Sequence, residues 1–146
     1  MIDDSVHLYR YLVLKTSWGI AINLRAQRVY SKLKPEGANV VAERIYLDVH
    51  ERMLSNEEVL WLVRGLKMVA GNLAKKICDN RYVIVRIVEV EFNDCDFQAE
   101  GLADAIIRWS AEVFELDIPQ AGVFFDKQAK RYVFDFSPIE MWSYLH

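Results

Sequence analysis

The sequence is poor in the residues that break or cross-link a chain: its 146 residues include three prolines, six glycines and two cysteines. So few prolines and glycines, with no low-complexity tract, argue against a flexible linker between domains. We therefore expect a single globular domain over residues 1–146. Cys78 and Cys95 are too few for a disulfide framework, and we expect both thiols to be reduced.

Long apolar runs and a basic leader are also missing. The longest apolar run, VLWLV at 59–63, is far shorter than the ~20 residues that a membrane-spanning helix needs. The first ten residues, MIDDSVHLYR, begin with acidic residues and lack the basic region of a secretory signal. We therefore expect a cytoplasmic protein without a membrane partner.

The motifs of several common enzyme classes are absent. There is no glycine-rich phosphate loop and no G-x-S-x-G nucleophile elbow. In HERML, 50–54, a leucine stands where the second histidine of the zinc motif H-E-x-x-H would be. We expect no cofactor and no metal ion, and an enzyme is the less favoured interpretation.

Two segments have the periodicity of amphipathic helices. The first, about 55–78, begins with the capping box of Ser55 and Glu58. Its apolar stripe consists of Val59, Leu62, Leu66, Val69, Leu73 and Ile77. The second, about 97–116, has the stripe Leu102, Ile106, Trp109 and Val113, and we expect its polar side to carry Glu100, Asp104, Arg108, Glu112 and Glu115.

Several segments have the patterns of strands. Residues 18–26 and 44–50 alternate between apolar and polar side chains, 81–93 is rich in β-branched residues, and 122–136 has the pattern of a hairpin. Residues 5–15 are apolar on every face and fit either a helix or a strand. We expect an α+β fold with a mixed sheet of about five or six strands, the two main helices packed on it, and a C-terminal hairpin at about 122–136.

The stretch NDCDFQAEGL, 93–102, places Asp94 and Asp96 around Cys95 at the start of the second predicted helix. The pair begins like an EF-hand loop, but alanines stand where that loop needs a glycine and a glutamate. The aspartates also disfavour a thiolate at Cys95, and either of them could cap the helix. An alternative remains open, in which a small enzyme or small-molecule-binding domain has a pocket around these three residues, with His50 as a further member.

The charge is unevenly distributed along the chain. Residues 1–86 carry 14 basic and 9 acidic side chains, a net of +5, whereas residues 87–146 carry 4 and 12, a net of −8, which together give the overall −3. Segregation of this kind favours a role in binding. Six acidic residues within a sixteen-residue span are the candidate partner-binding residues: Glu89, Glu91, Asp94, Asp96, Glu100 and Asp104.

A surface of one sign attracts partners of the other sign, so the acidic span predicts a basic protein partner. We expect a non-catalytic domain that binds such a partner. Its most specific form is an immunity or antitoxin-type inhibitor of a nuclease-like toxin. Nucleic-acid binding is less favoured because the chain is net acidic and has no recognisable nucleic-acid-binding module.

Overall fold

The computed structural model describes residues 5–77 and 79–146, so Cys78, at the end of the first predicted helix, lies outside the described residues. Within these ranges the strands are β1 Val6–Leu14, β2 Gly19–Ser31, β3 Asn39–Ala42, β4 Ile45–Asp48, β5 Tyr82–Phe92, β6 Gly122–Asp126 and β7 Arg131–Asp135. The α-helices are α1 Asn56–Ala74, α2 Gly101–Val113 and α3 Ser137–Leu145, and a one-turn 3-10 helix spans Asp94–Asp96.

The main sheet has five strands in the order β1-β2-β5-β4-β3. β4 and β5 are parallel and are joined through α1, whereas the other neighbouring pairs are antiparallel. β6 and β7 form the expected hairpin as a separate two-stranded sheet. The predicted α+β class and its mixed sheet are confirmed, and α3, which follows the hairpin, was not predicted.

The other differences from the sequence prediction concern the ambiguous segment 5–15, one short strand and the start of α2. Residues 5–15, which fitted either structure, contain β1, and the short strand β3 was not expected. α2 begins at Gly101 and not near residue 97, because Phe97 has an extended backbone. The ring of Phe97 stacks on that of Phe92, with the centroids 3.8 Å apart, and this contact favours the extended conformation over an earlier helix start.

α1 begins as the sequence predicts. The Ser55 hydroxyl accepts a hydrogen bond from the Glu58 N–H, and the Glu58 carboxylate accepts one from the Ser55 N–H. The middle of the predicted stripe is fully buried: Leu62, Leu66, Val69 and Leu73. None of the helices in the described ranges is long and apolar enough to cross a membrane.

α2 is the most deeply buried element, since every residue from 101 to 110 is buried. It touches α1 at Gly65, where an added Cβ would lie 2.4 Å from the Ala103 carbonyl oxygen and 2.8 Å from the Ala103 Cα. The two helices therefore meet backbone against backbone. The expectation that Asp104 and Arg108 lie on a polar outer side of this helix is wrong, because both are buried.

We expect Gly65→Ala to destabilise the protein by about 1–3 kcal/mol, because the new methyl group would press against the backbone of α2. Gly71 lies in the same helix with open space around it, so Gly71→Ala is the matched control. The control should stabilise by up to about 1 kcal/mol through helix propensity. Urea unfolding measures both, and equal effects of the two substitutions would contradict the close contact.

Candidate functional site

Two of the six candidate acidic residues lie on β5, on the sheet face opposite α1 and α2. Glu89 is exposed and forms an ion pair with Arg25, with 2.5 Å between their nearest atoms. Glu91 is also exposed and accepts a hydrogen bond from the side-chain amide of Asn23 at 3.0 Å. Arg25 belongs to the basic first half of the chain, so part of the acidic charge is neutralised across the sheet.

Asp94 and Asp96 are exposed on the 3-10 helix. Across residues 5–77 and 79–146, their carboxylates have no ion pair or side-chain hydrogen bond. The expectation that one of them caps the second helix is wrong, because the residue before Gly101 is Glu100 and the cap has no side-chain hydrogen bond. Both carboxylates therefore remain available to another molecule.

The last two candidate residues are not freely exposed. Glu100 is half-buried, is paired with Arg131, and accepts a hydrogen bond from the Gln98 side chain. Asp104 is only 4% exposed. The six residues thus do not form one continuous surface, and the part that is exposed without a cationic partner is Glu91, Asp94 and Asp96, which we call the acidic segment.

The residues of the alternative pocket do not converge. Cys95 is exposed, and its backbone carbonyl accepts a hydrogen bond from the Trp18 indole N–H at 2.5 Å. His50 lies beside the first turns of α1 and Val40 of β3. No group of three or more histidine, cysteine, aspartate or glutamate side chains in the described part of the chain is arranged to hold a metal ion.

A different site lies along the outer edge of β1, where the strand has no neighbour in the sheet. A groove of about 470 Å³ runs beside it, lined by residues 9–15 of the chain. The opposite wall consists of Gln120, Ala121 and Val123, and Asp104 and Arg108 of α2 also line the groove. We call this space the β1 groove.

The backbone of β1 presents unpaired hydrogen-bonding groups to this groove. The His7 carbonyl accepts from the Trp109 indole N–H at 2.9 Å, and the Lys15 N–H donates to the Tyr132 hydroxyl at 3.0 Å. Backbone N–H and C=O groups alternate in direction along an antiparallel strand. Because the His7 C=O and the Lys15 N–H point away from β2, the backbone groups of the odd-numbered residues between them do so too. Tyr9, Tyr11 and Val13 lie between these two contacts, and their outward N–H and C=O groups have no partner among the described residues.

Three buried polar side chains lie together where α2 meets β1. The Tyr11 hydroxyl donates to the Asp104 carboxylate at 2.7 Å, and the Arg108 guanidinium donates to the carbonyls of Ile118 and Pro119 at 2.9 and 2.7 Å. Asp104 Oδ1 and Arg108 Nε are buried without a hydrogen-bond partner. An unpaired buried polar atom costs free energy, so these two atoms favour a ligand that could reach them.

Burial also changes the proton affinities of this cluster. It raises the pKa of Asp104 above its usual 3.8, against the opposing effects of the Tyr11 hydrogen bond and the Arg108 charge. Burial, together with the nearby Asp104, raises the pKa of the Tyr11 phenol as well. Tyr11 therefore stays protonated near neutral pH and acts as a hydrogen-bond donor, which suits binding better than base catalysis.

Comparison with protein-family models found no match, and a search for similar curated proteins also found none. The functional interpretation therefore depends on the chain's own geometry.

We expect the Asp104 carboxyl to titrate with a midpoint above 3.8, because burial disfavours its charged form. A raised pKa in the folded state means that folding is favoured at low pH and loses stability as the pH rises through the raised value. For one proton this loss is at most about 1.4 kcal/mol per pH unit, and Asp104→Asn should remove it because an amide does not ionise. Carboxyl NMR titration and urea unfolding between pH 3 and 7 measure both effects.

Tyr11→Phe provides the control for this titration. The hydroxyl of Tyr11 lowers the Asp104 pKa by hydrogen bonding, so its removal should move the midpoint further upward. A midpoint at or below 3.8 in the unsubstituted protein, or no response to Tyr11→Phe, would contradict the buried Tyr11–Asp104 pair.

Proposed function

We propose that this protein is a non-catalytic binding domain that docks onto a basic partner protein through the acidic segment. The main support is that Asp94 and Asp96 are exposed and make no ion pair within the described ranges. Carboxylates that are already paired must first release their cation, whereas these two can meet an incoming lysine or arginine directly. Their position on a short turn beyond the end of β5 makes them accessible to a large partner.

The proposed surface is smaller than the acidic span in the sequence. Glu89 and Glu100 are held by Arg25 and Arg131, and Asp104 is inside the protein. Glu91, on the open face of the sheet, adds a third exposed carboxylate within six residues of the chain. Three carboxylates are enough to accelerate association with a cationic surface at low salt.

In a narrower form of this proposal, the partner is a nuclease-like toxin and the protein is its immunity or antitoxin-type inhibitor. A nuclease carries a basic groove for the phosphates of its substrate. An exposed cluster of carboxylates can occupy such a groove by the same charge complementarity. The partner's activity on nucleic acid then distinguishes this narrower form from docking onto another basic protein.

We expect the triple variant Glu91→Gln, Asp94→Asn, Asp96→Asn to bind its partner at least about tenfold more weakly. Exposed ion pairs contribute up to about 1 kcal/mol each, and three of them give a change of this size. The partner is obtained by co-purification from the native host at low salt, and its dissociation constant is then measured by titration at several salt concentrations. Binding should weaken as the salt concentration rises.

The matched control is Glu36→Gln, Glu43→Gln, Glu51→Gln, which makes the same charge change at three exposed residues elsewhere. It should alter the affinity less than twofold. An acidic partner, salt-independent binding, or equal effects of the two triple variants would count against the acidic segment. Inhibition of the partner's nuclease activity by this protein would support the narrower form, and a partner without such activity would exclude it.

A further inference from the structure

The two edges of the main sheet differ in a way that bears on binding. β3 is a four-residue strand with an irregular register between Val40 and Ala42, and such short, irregular edges discourage strand pairing. β1 has nine residues, all paired in continuous register with β2 and without a bulge. β1 is therefore the edge that can accept another strand.

The open stretch of β1 has defined limits. At one end the Trp109 indole N–H donates a hydrogen bond to the His7 carbonyl, and at the other end the Tyr132 hydroxyl accepts one from the Lys15 N–H. Between them, Tyr9, Tyr11 and Val13 each point one N–H and one C=O outward. An added strand could therefore form as many as six main-chain hydrogen bonds over about five residues.

The side chains around this stretch identify the chemistry of the occupant. Arg10 and Lys15 are exposed, and Arg108 is buried with its Nε unpartnered. Among the described residues, Asp104 is the one carboxyl group that lines the same groove, and it is bonded to Tyr11. Glu112 lies beside Arg10 in the adjoining pocket and is bonded to His7. Leu12 and Leu14 are 67% and 65% exposed on the outer face of the strand. The groove thus presents cations and apolar surface together.

We propose that the β1 groove binds an extended segment of a partner protein that adds to the sheet as a sixth strand, and that this segment carries one acidic and two apolar residues at successive alternate positions on the face it shares with Arg10, Leu12 and Leu14. Main-chain hydrogen bonds to Tyr9, Tyr11 and Val13 supply the pairing, and the alternating side chains supply the specificity. On this face the acidic residue lies beside Arg10, and the apolar residues cover Leu12 and Leu14. This site uses a different element from the acidic segment and has the opposite charge.

A second copy of the chain fits this edge less well. Antiparallel pairing of two β1 strands centred on Tyr11 would place Arg10 of each copy opposite Leu12 of the other, so neither guanidinium would gain a carboxylate partner. The wall of Gln120, Ala121 and Val123, held through the contacts of Arg108 with Ile118 and Pro119, also faces the groove. A single extended strand can offer an acidic residue to Arg10 and can lie between β1 and this wall.

The test uses a displayed library of random nine-residue peptides, selected on the full-length protein. We expect the selected peptides to carry one acidic and two apolar residues at successive alternate positions, which match Arg10, Leu12 and Leu14. Val13→Pro should weaken their binding at least tenfold, because it removes an outward N–H while leaving the hydrogen bonds to β2 intact. Arg10→Glu should have a comparable effect through charge, and Lys34→Glu, at an exposed residue outside the groove, should change the affinity less than twofold.

Chemically modified peptides make the result independent of the folding of any variant. N-methylation of alternate residues removes the donors along one side of a selected peptide and keeps its side chains, so one of the two methylation patterns should abolish binding. Failure to select peptides, selection of basic peptides, or equal binding of both methylated forms would overturn the proposal. So would sedimentation showing that β1 is already occupied by a second copy, with a dimer that Val13→Pro dissociates.

Discussion

The structure depends on the burial of α2 between α1 and β1. On one side, Gly65 allows the backbones of α1 and α2 to touch at Ala103. On the other side, Tyr11 of β1 bonds to Asp104, and Arg108 fixes the segment at 118–119. These contacts position the groove wall relative to β1, so the helix packing also sets the shape of the candidate binding site. A larger side chain at Gly65 would disturb both.

The sequence predicted the fold class and the elements with a simple period. The capping box of α1 and its stripe as far as Leu73 were correct because that helix has one buried and one exposed side. Ile77, the last predicted member, follows the end of the helix at Ala74. α2 was misread because Asp104 and Arg108, four residues apart, have the spacing of a solvated charged face. Inside the protein, Asp104 bonds to Tyr11, which is 93 residues away in the sequence. Arg108 donates to the carbonyls of Ile118 and Pro119, which are 10 and 11 residues away. A sequence pattern cannot show such partners.

Partners that are distant in sequence also explain why the acidic span does not form one continuous surface. The sequence predicts a concentration of charge, and the structure divides it among an ion pair across the sheet, a half-buried pair, a buried carboxyl and the exposed acidic segment. The β1 groove gave a weaker signal, since residues 5–15 are apolar on every face. That pattern is consistent with a strand whose inner face packs on a helix and whose outer face exposes Leu12 and Leu14.

Addition of a sixth strand depends most on the open edge of β1, and amide hydrogen exchange measures that edge residue by residue. In the protein alone, the amides of Leu8, Arg10 and Leu12 point toward β2 and should exchange slowly, whereas those of Tyr9, Tyr11 and Val13 should exchange quickly. Slow exchange at all six positions in dilute solution would show that the outward groups already have partners. That result would contradict an edge that is open to an added strand.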